Sequence, residues 1–196
     1  RELLSYDTAS GNGIPFRHTN LSTSLQAAVT ADEVNYLRGD RTNEQGGSGT
    51  DAYRARLNTS GLLGDIIHST PLFVGPPSFN KRDFDPYPTA VGELYSEFAA
   101  SKTSRTPLVY VSANDGILHA FDASSGTETF GYVPSNLIAD MTDLADPNYS
   151  HKYYVDQTPV ANDVYIRPTG TGSSHDWKTV LIGGQGAGGK SYFATS

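Results

Sequence analysis

The chain has 196 residues, a formal net charge of −7 and 18% charged side chains. This acidic balance argues against a general nucleic-acid binder, because no broad basic surface is available to neutralise phosphates. The chain contains no cysteine, which excludes disulfides, thiolate metal sites and cysteine nucleophiles. No apolar run approaches the roughly 18 residues that suggest a membrane-spanning helix. The 20 Gly and 11 Pro, with 12 Tyr and 8 Phe, favour strands and turns over long helices.

The first 60 residues, here called the lead-in, are polar and rich in Gly, Ser, Thr and Asn. One helix is predicted within Ser24–Leu37, where Thr30 and Glu33 have the spacing of a capping box and Gly39 can end the helix. The stretch Gln45–Asp51 is glycine-rich and predicts a loop. The sequence therefore predicts a lead-in over 1–60 with a short helix and a Gly-rich loop.

Residues 61–196 have the pattern of short strands and tight turns. The first group of predicted strands is Ser69–Val74, Leu108–Val111, Ile117–Phe121 and Thr129–Val133. Asn114-Asp115-Gly116 and Ser125-Gly126 supply the turns, which predicts an antiparallel meander. An insertion over 76–104 separates the first two strands and contains a short predicted helix near Val91–Ala100.

The same order then begins again. Gln157-Thr158-Pro159-Val160 matches Ser69-Thr70-Pro71-Leu72, and Lys178–Ile182 matches Arg105–Val109. Repeated four-stranded antiparallel units are typical of β-propeller blades, which bury their faces against neighbouring blades. We therefore expect a mainly β fold, a partial β-propeller with blade 1 at about 69–133 and an incomplete blade 2 at about 157–196.

A series of motifs along the chain indicates which kind of propeller is expected. Asn114–Gly126 is similar to a quinoprotein-type blade motif, with Asp-Gly, an apolar strand, Asp-Ala and a Gly turn. Further characteristic stretches are Tyr36–Arg41, Leu63–Pro71, Tyr132–Ser135, Tyr149–Asp156 with Thr158-Pro159, and Trp177–Gly184 with Gly186–Gly189. In this order they resemble the start of the C-terminal propeller region of PilY/PilC-type proteins, the tip adhesins and assembly factors of bacterial type IV pili.

The resemblance implies a surface-exposed protein that acts by binding, without catalysis. Such proteins are exported to the cell surface, sit at the pilus tip with minor pilins, and contact surfaces or host receptors during adhesion and virulence. Family members often bind calcium through an Asp-rich loop, which usually lies beyond the part that this chain matches. No Asp-x-Asp-x-Asp loop occurs here, so no calcium, cofactor, metal or catalytic residue is assigned, and no nucleic acid or membrane span is expected.

Two motifs suggest other functions. Gly184–Ser191 satisfies the phosphate-loop pattern G-x-x-x-x-G-K-[ST], but such a loop requires a helix after Lys190, and Tyr192-Phe193 is strand-like. We interpret it as a Gly-rich turn between strands. Arg38-Gly39-Asp40 is an integrin-type tripeptide, a candidate adhesive site, although Gly39 can equally end a helix while Arg38 and Asp40 pair.

An enzyme remains the main alternative, because pyrroloquinoline quinone-dependent dehydrogenases share the blade motif. They need adjacent cysteines or a Trp docking motif with calcium-binding carboxylates, whereas this chain has no Cys and one Trp. The histidines are scattered and lack metal-site spacing; they are His18, His68, His119, His151 and His175.

Overall fold

A computed structural model describes residues 1–56, 61–167 and 174–196. The lead-in contains a β-hairpin of β1 (Leu3–Asp7) and β2 (Asn12–Pro15), a 3₁₀ turn at His18–Asn20, and helices α1 (Thr23–Ala28) and α2 (Ala31–Leu37). The sequence predicted neither strand, and it predicted one helix where the structure has two. The helices are separate because Val29 is extended and Thr30 caps the second one.

The capping box predicted from the sequence is confirmed. The Thr30 hydroxyl accepts a hydrogen bond from the Glu33 backbone N–H at 3.1 Å, and the Glu33 carboxylate accepts one from the Thr30 backbone N–H at 2.6 Å. These two bonds satisfy donors that the first turn of α2 would otherwise leave free. Helix α2 consequently begins at a fixed position and buries Val34, Tyr36 and Leu37.

Blade 1 is built from β3 (Leu72–Val74), β4 (Leu108–Ala113), β5 (Ile117–Asp122) and β6 (Glu128–Tyr132), which pair antiparallel in that order. The insertion between β3 and β4 carries helix α3 (Tyr95–Ser101). The predicted turn after β4 is confirmed, with Gly116 at φ +82°, a conformation that favours glycine. Strand β1 pairs parallel with β6, so the lead-in hairpin extends this sheet to six strands, in the order β2-β1-β6-β5-β4-β3.

Among the described residues, blade 2 has three antiparallel strands, β7 (Val160–Ile166), β8 (Asp176–Gly184) and β9 (Tyr192–Thr195). Residues 168–173, between β7 and β8, lie outside the described part of the chain. The two sheets are separate and do not close into a ring, as expected for part of a propeller. None of the described helices has the length and apolar character needed to span a bilayer.

The principal core lies between the lead-in and one end of blade 1. It joins the lead-in helices and β1 to the start of β5, the end of β6 and the 3₁₀ turns at Ser135–Leu137 and Asp140–Ala145. Its fully buried side chains include Leu3, Phe16, Val34, Ile117, Val133, Ile138, Met141, Tyr154 and Val155. The lead-in is thus part of the folded unit around blade 1.

Candidate functional site

The two blades are joined where their matching segments meet. The Thr70 backbone N–H donates to the Thr158 hydroxyl at 2.8 Å, and these two residues are 88 positions apart at equivalent places in the repeat. The same spacing separates His68 from Asp156, whose Oδ2 lies 2.5 Å from the His68 Nδ1. Asp156 is buried, and its other carboxylate oxygen accepts the His68 backbone N–H at 3.3 Å. The repeat therefore brings its own equivalent residues into contact at the blade junction.

The insertion of blade 1 packs onto blade 2. The indole Nε1 of Trp177, in β8, donates to the Glu93 carbonyl at 2.8 Å, and its ring lies 4.9 Å from that of Tyr95 in α3. Around them pack Ala99, Tyr87, Phe98 and Tyr165. Trp177 and Tyr95 are almost fully buried, so the aromatic cluster fixes the insertion in place. Trp177 thus anchors the insertion of blade 1 on blade 2.

Polar contacts reinforce the same junction. The Arg105 guanidinium donates to the Thr179 hydroxyl at 2.6 Å and to the Gly75 carbonyl at 3.0 Å, and so joins β3, the start of β4 and β8. The Thr179 hydroxyl donates in turn to Asp163 at 2.6 Å. The Tyr95 hydroxyl lies 2.7 Å from the other oxygen of Asp163. Burial, followed by this carboxylate, raises the pKa of Tyr95, which therefore stays a neutral donor.

The insertion also carries exposed apolar side chains, which are here called its outer side. Phe79, Phe84 and Val91 are 56%, 53% and 88% exposed. The Arg82 guanidinium lies 5.4 Å above the Phe84 ring, which places a positive charge beside the exposed aromatic. The insertion thus combines a base that is anchored on blade 2 with exposed apolar side chains and a nearby positive charge.

The Arg38-Gly39-Asp40 tripeptide lies at the end of α2, and its two charged side chains do not pair, contrary to one expectation. The Arg38 guanidinium points inward, where it donates to the Phe16 carbonyl at 2.8 Å and the Arg1 carbonyl at 3.2 Å. Asp40 is exposed and accepts the Thr42 backbone N–H at 2.8 Å. Gly39 has φ +110° and ends the helix. Adhesion through Arg38, Gly39 and Asp40 stays a prediction.

The glycine-rich loop Gly184–Ser191 connects β8 and β9, and its interpretation as a turn between strands is confirmed. The loop contains a 3₁₀ turn at Gly186–Gly188, and strand β9 begins at Tyr192, where a phosphate loop would continue into a helix. A Cβ at Gly188 would lie 2.3 Å from the Tyr154 carbonyl oxygen, so the loop is pressed against the chain that enters blade 2. This geometry lacks the strand-loop-helix arrangement on which phosphate loops depend.

His119 is completely buried in β5 between two carboxylates. Its Nδ1 lies 2.7 Å from Glu128 and its Nε2 lies 3.1 Å from Asp115, while the Arg1 guanidinium also binds Glu128. Burial favours the neutral ring, but Asp115 and Glu128 outweigh it and raise the pKa of His119 to about 9. The charged imidazolium therefore connects the β4–β5 turn to β6. Sequence reasoning placed His119 in a packed strand but missed both partners.

The described residues contain no cluster of three or more His, Asp or Glu side chains arranged to hold a metal ion. That this segment holds no calcium stays a prediction. His68 and His151 pair separately, with Asp156 and with Asp65, on either side of Tyr153.

Comparison with known proteins agrees with this architecture. A family model described as the PilY1 beta-propeller domain matches residues 63–196. The chain belongs to this family. It is 42% identical over 179 residues to a type IV pilus biogenesis factor PilY1 homolog of Xylella fastidiosa. The aligned region covers 91% of the chain and 14% of that relative.

A second relative, the type IV pilus biogenesis factor PilY1 of Pseudomonas aeruginosa strain PAK, is 40% identical over 166 residues, covering 83% of the chain and 13% of that protein. The chain thus spans about one seventh of the length of these relatives. No solved structure matches it significantly. The family match begins in the segment before β3 and includes both blades, so the propeller predicted from the repeat is confirmed.

Proposed function

We propose that the chain is the beginning of the propeller of a type IV pilus tip-associated adhesin and assembly protein. It acts by binding minor pilins and a surface or host receptor, at the cell surface, and performs no catalysis. Its relatives carry the name of type IV pilus biogenesis factors, which supports the pilus role. The single observation that carries the binding mode is the anchored insertion with its exposed apolar side chains.

The insertion suits binding because its base is fixed while its outer side is available. Trp177 and Tyr95 hold the base against blade 2, so little conformational entropy remains to be lost when a partner docks. Phe79, Phe84 and Val91 supply apolar contact area, and Arg82 supplies a charge beside it. Aromatic and arginine side chains are the ones that most often dominate binding energy. We place the surface or receptor contact on this outer side.

The test uses the full-length protein in the bacterium that makes it. A triple variant, Phe79→Ser with Phe84→Ser and Val91→Ser, removes the exposed apolar contacts without touching the aromatic cluster. We expect surface attachment to fall at least tenfold while the number of pili stays unchanged. The matched control is Tyr6→Ser, which alters an exposed aromatic of the lead-in and should leave attachment intact.

The outcomes separate the parts of the proposal. Loss of pili together with attachment, with the protein still folded and exported, would move the insertion from adhesion to pilus assembly. Unchanged attachment and pilus number would contradict a binding role for the insertion. Dye reduction by the whole protein reconstituted with pyrroloquinoline quinone and calcium would overturn the non-catalytic proposal and favour the dehydrogenase.

A further inference from the structure

A cleft of about 330 Å³ opens beside the principal core, where four separate parts of the chain meet. The lead-in after α2, the segment before β3, the β4–β5 turn and the loop near Tyr149 form its walls. Its volume lies at the lower end of the range of small-ligand sites, which suits one side chain or a small molecule. Leu37, Leu63 and Leu144 line part of it, and charged groups line the rest.

The two carboxylates in the cleft already have partners. Asp65 Oδ2 lies 2.8 Å from the His151 Nε2 and also accepts the Asn114 side-chain amide at 3.4 Å. Asp115 accepts the Gly64 backbone N–H at 3.0 Å, and its other oxygen binds His119 at 3.1 Å. Both carboxylates therefore already have hydrogen-bond partners within the protein.

The two arginines differ. Arg56 is paired with the buried Glu44 carboxylate and donates further to the Tyr36 and Asp40 carbonyls. Arg54 donates through Nε to the Leu144 carbonyl at 3.0 Å, and its guanidinium lies 4.4 Å above the Tyr149 ring. Within residues 1–56, 61–167 and 174–196, no carboxylate lies within salt-bridge distance of Arg54. It is a half-buried cation, on an aromatic face, without a counter-charge.

A guanidinium held in this way is prepared for an anion. Stacking on Tyr149 fixes its plane, and the two terminal nitrogens form no hydrogen bond with the described residues. A planar fork of N–H donors matches a carboxylate in a bidentate arrangement. A phosphate with two charges fits less well, because Asp65 and Asp115 line the same cleft. The leucine walls favour an apolar body next to the charged group.

We propose that the cleft binds a carboxylate carried on an apolar body, with Arg54 as the group that recognises it. The carboxylate can be a chain terminus or an acidic side chain of a partner, and the chemistry of recognition is the same for both. The inference rests on the charges and walls of the cleft and is independent of the proposed pilus role. Its failure would leave the binding role of the insertion untouched.

The test follows the Arg54 Nε–H signal by NMR in the protein labelled with ¹⁵N. N-acetyl-leucine presents a terminal carboxylate, and N-acetyl-leucinamide has the same body without the charge. N-acetyl-glutamic acid amide presents a side-chain carboxylate, with N-acetyl-glutamine amide as its neutral counterpart. We expect a saturable shift with at least one acid, and at least tenfold weaker binding of its neutral partner. The acid that binds more tightly identifies the source of the carboxylate.

Substitutions locate the effect. Arg54→Gln should weaken binding of the acid at least tenfold, as followed by the NMR signals of the neighbouring Leu63 and Tyr149. Arg54→Lys should retain part of the binding, because lysine keeps the positive charge but lacks the planar set of N–H donors of the guanidinium. The control Arg17→Gln removes an exposed arginine of the lead-in that does not line the cleft, and should bind normally. If the melting temperature of Arg54→Gln is more than a few degrees below that of the wild type, the comparison of the wild type with Arg54→Lys tests the proposal instead. Absence of any saturable shift, or equal binding by the Arg54 variants, would overturn the proposal.

Discussion

Blade 1 and blade 2 have the same strand order, yet their surroundings differ. In blade 1, Leu72 and Val109, the equivalents of Val160 and Ile182 in the repeat, are half-buried. In blade 2, Val160 and Ile182 are opposite each other across β7 and β8, and they are 57% and 43% exposed. The comparison shows that equal strand patterns do not produce equal burial. Elements outside the blade decide which of its faces is covered, as the dependence of repeats on their neighbours requires.

The difference extends to single positions. The sequence pattern aligns Leu118-His119-Ala120 of β5 with Tyr192-Phe193-Ala194 of β9, but the pairing shifts this alignment by one residue: Val111 lies opposite His119, and its equivalent Gly184 lies opposite Tyr192. His119 is buried between carboxylates, whereas Tyr192 is 71% exposed. One position thus holds a buried charged connection in one blade and an exposed aromatic ring in the next. The repeat preserves the backbone and leaves the chemistry of each blade free to differ.

The largest expected effect tests whether the blades are stabilised independently. Trp177→Ala removes the centre of the aromatic cluster that joins the insertion to blade 2. We expect the free energy of unfolding to fall by about 3–5 kcal/mol, as for other buried Trp truncations. Hydrogen exchange should accelerate in α3, β7 and β8 more than in β4 and β5, because the core of blade 1 does not contain this cluster.

Phe16→Ala is the matching change in the core of blade 1, where Phe16 is completely buried. It should destabilise by a similar amount and accelerate exchange in the lead-in and β1 first. Tyr192→Ala serves as the control, since Tyr192 is 71% exposed, and its effect should stay within about 0.5 kcal/mol. Equal acceleration in both blades by Trp177→Ala would show that they unfold as one unit.

A second, pH-dependent effect belongs to blade 1 alone. The pKa of His119 is raised to about 9 from an ordinary 6.5, so its stabilisation is fully present below pH 6.5 and is lost as the pH rises through 9. Over that window the native state should lose on the order of 3 kcal/mol. Urea unfolding of the wild type and of His119→Gln at pH 6 and pH 9.5 measures the difference.

Asp115, Glu128 and Arg1 are the charged groups that face His119, and none of them is changed in this experiment. We expect His119→Gln to be much less stable than the wild type at pH 6 and closer to it at pH 9.5. His175→Gln, an exposed histidine of blade 2, should retain the pH dependence of the wild type. An unchanged pH profile in His119→Gln would show that another group causes it.

The parts that the sequence could predict are those determined by neighbours along the chain. The Thr30–Glu33 capping box, the turn at Gly116 and the meander of β4, β5 and β6 all depend on residues a few positions apart. The repeat added the second blade, because matching segments imply matching strands. Local patterns and an internal repeat were therefore sufficient for the architecture.

The remainder depends on contacts between distant segments. Strand β1 is defined by its pairing with β2 and β6, because its sequence, Leu-Leu-Ser-Tyr-Asp, alone does not define a strand. The direction of the Arg38 side chain also depends on a distant segment, because its guanidinium donates to the Phe16 carbonyl. The cleft at Arg54 combines four segments, and no pattern in any one of them indicates it. Sequence reasoning therefore predicted the propeller blades but not this candidate site.

The smallest effects distinguish the loop of blade 2 from a nucleotide site. Gly188→Ala places a Cβ 2.3 Å from the Tyr154 carbonyl oxygen, so the loop must shift, and we expect a loss of about 1–3 kcal/mol in the free energy of unfolding. Lys190 is exposed, and Lys190→Ala should change stability by less than about 0.5 kcal/mol.

Thermal melts with and without Mg-ATP should coincide for the wild type and both variants. A phosphate loop requires the opposite result, in which nucleotide raises the melting temperature and Lys190→Ala abolishes the increase. In blade 1, the turn at Asn114-Asp115-Gly116 closes the equivalent hairpin without a phosphate-loop pattern. A loss of stability in Gly188→Ala would therefore show that the glycines of the blade 2 loop serve packing against the chain at Tyr154.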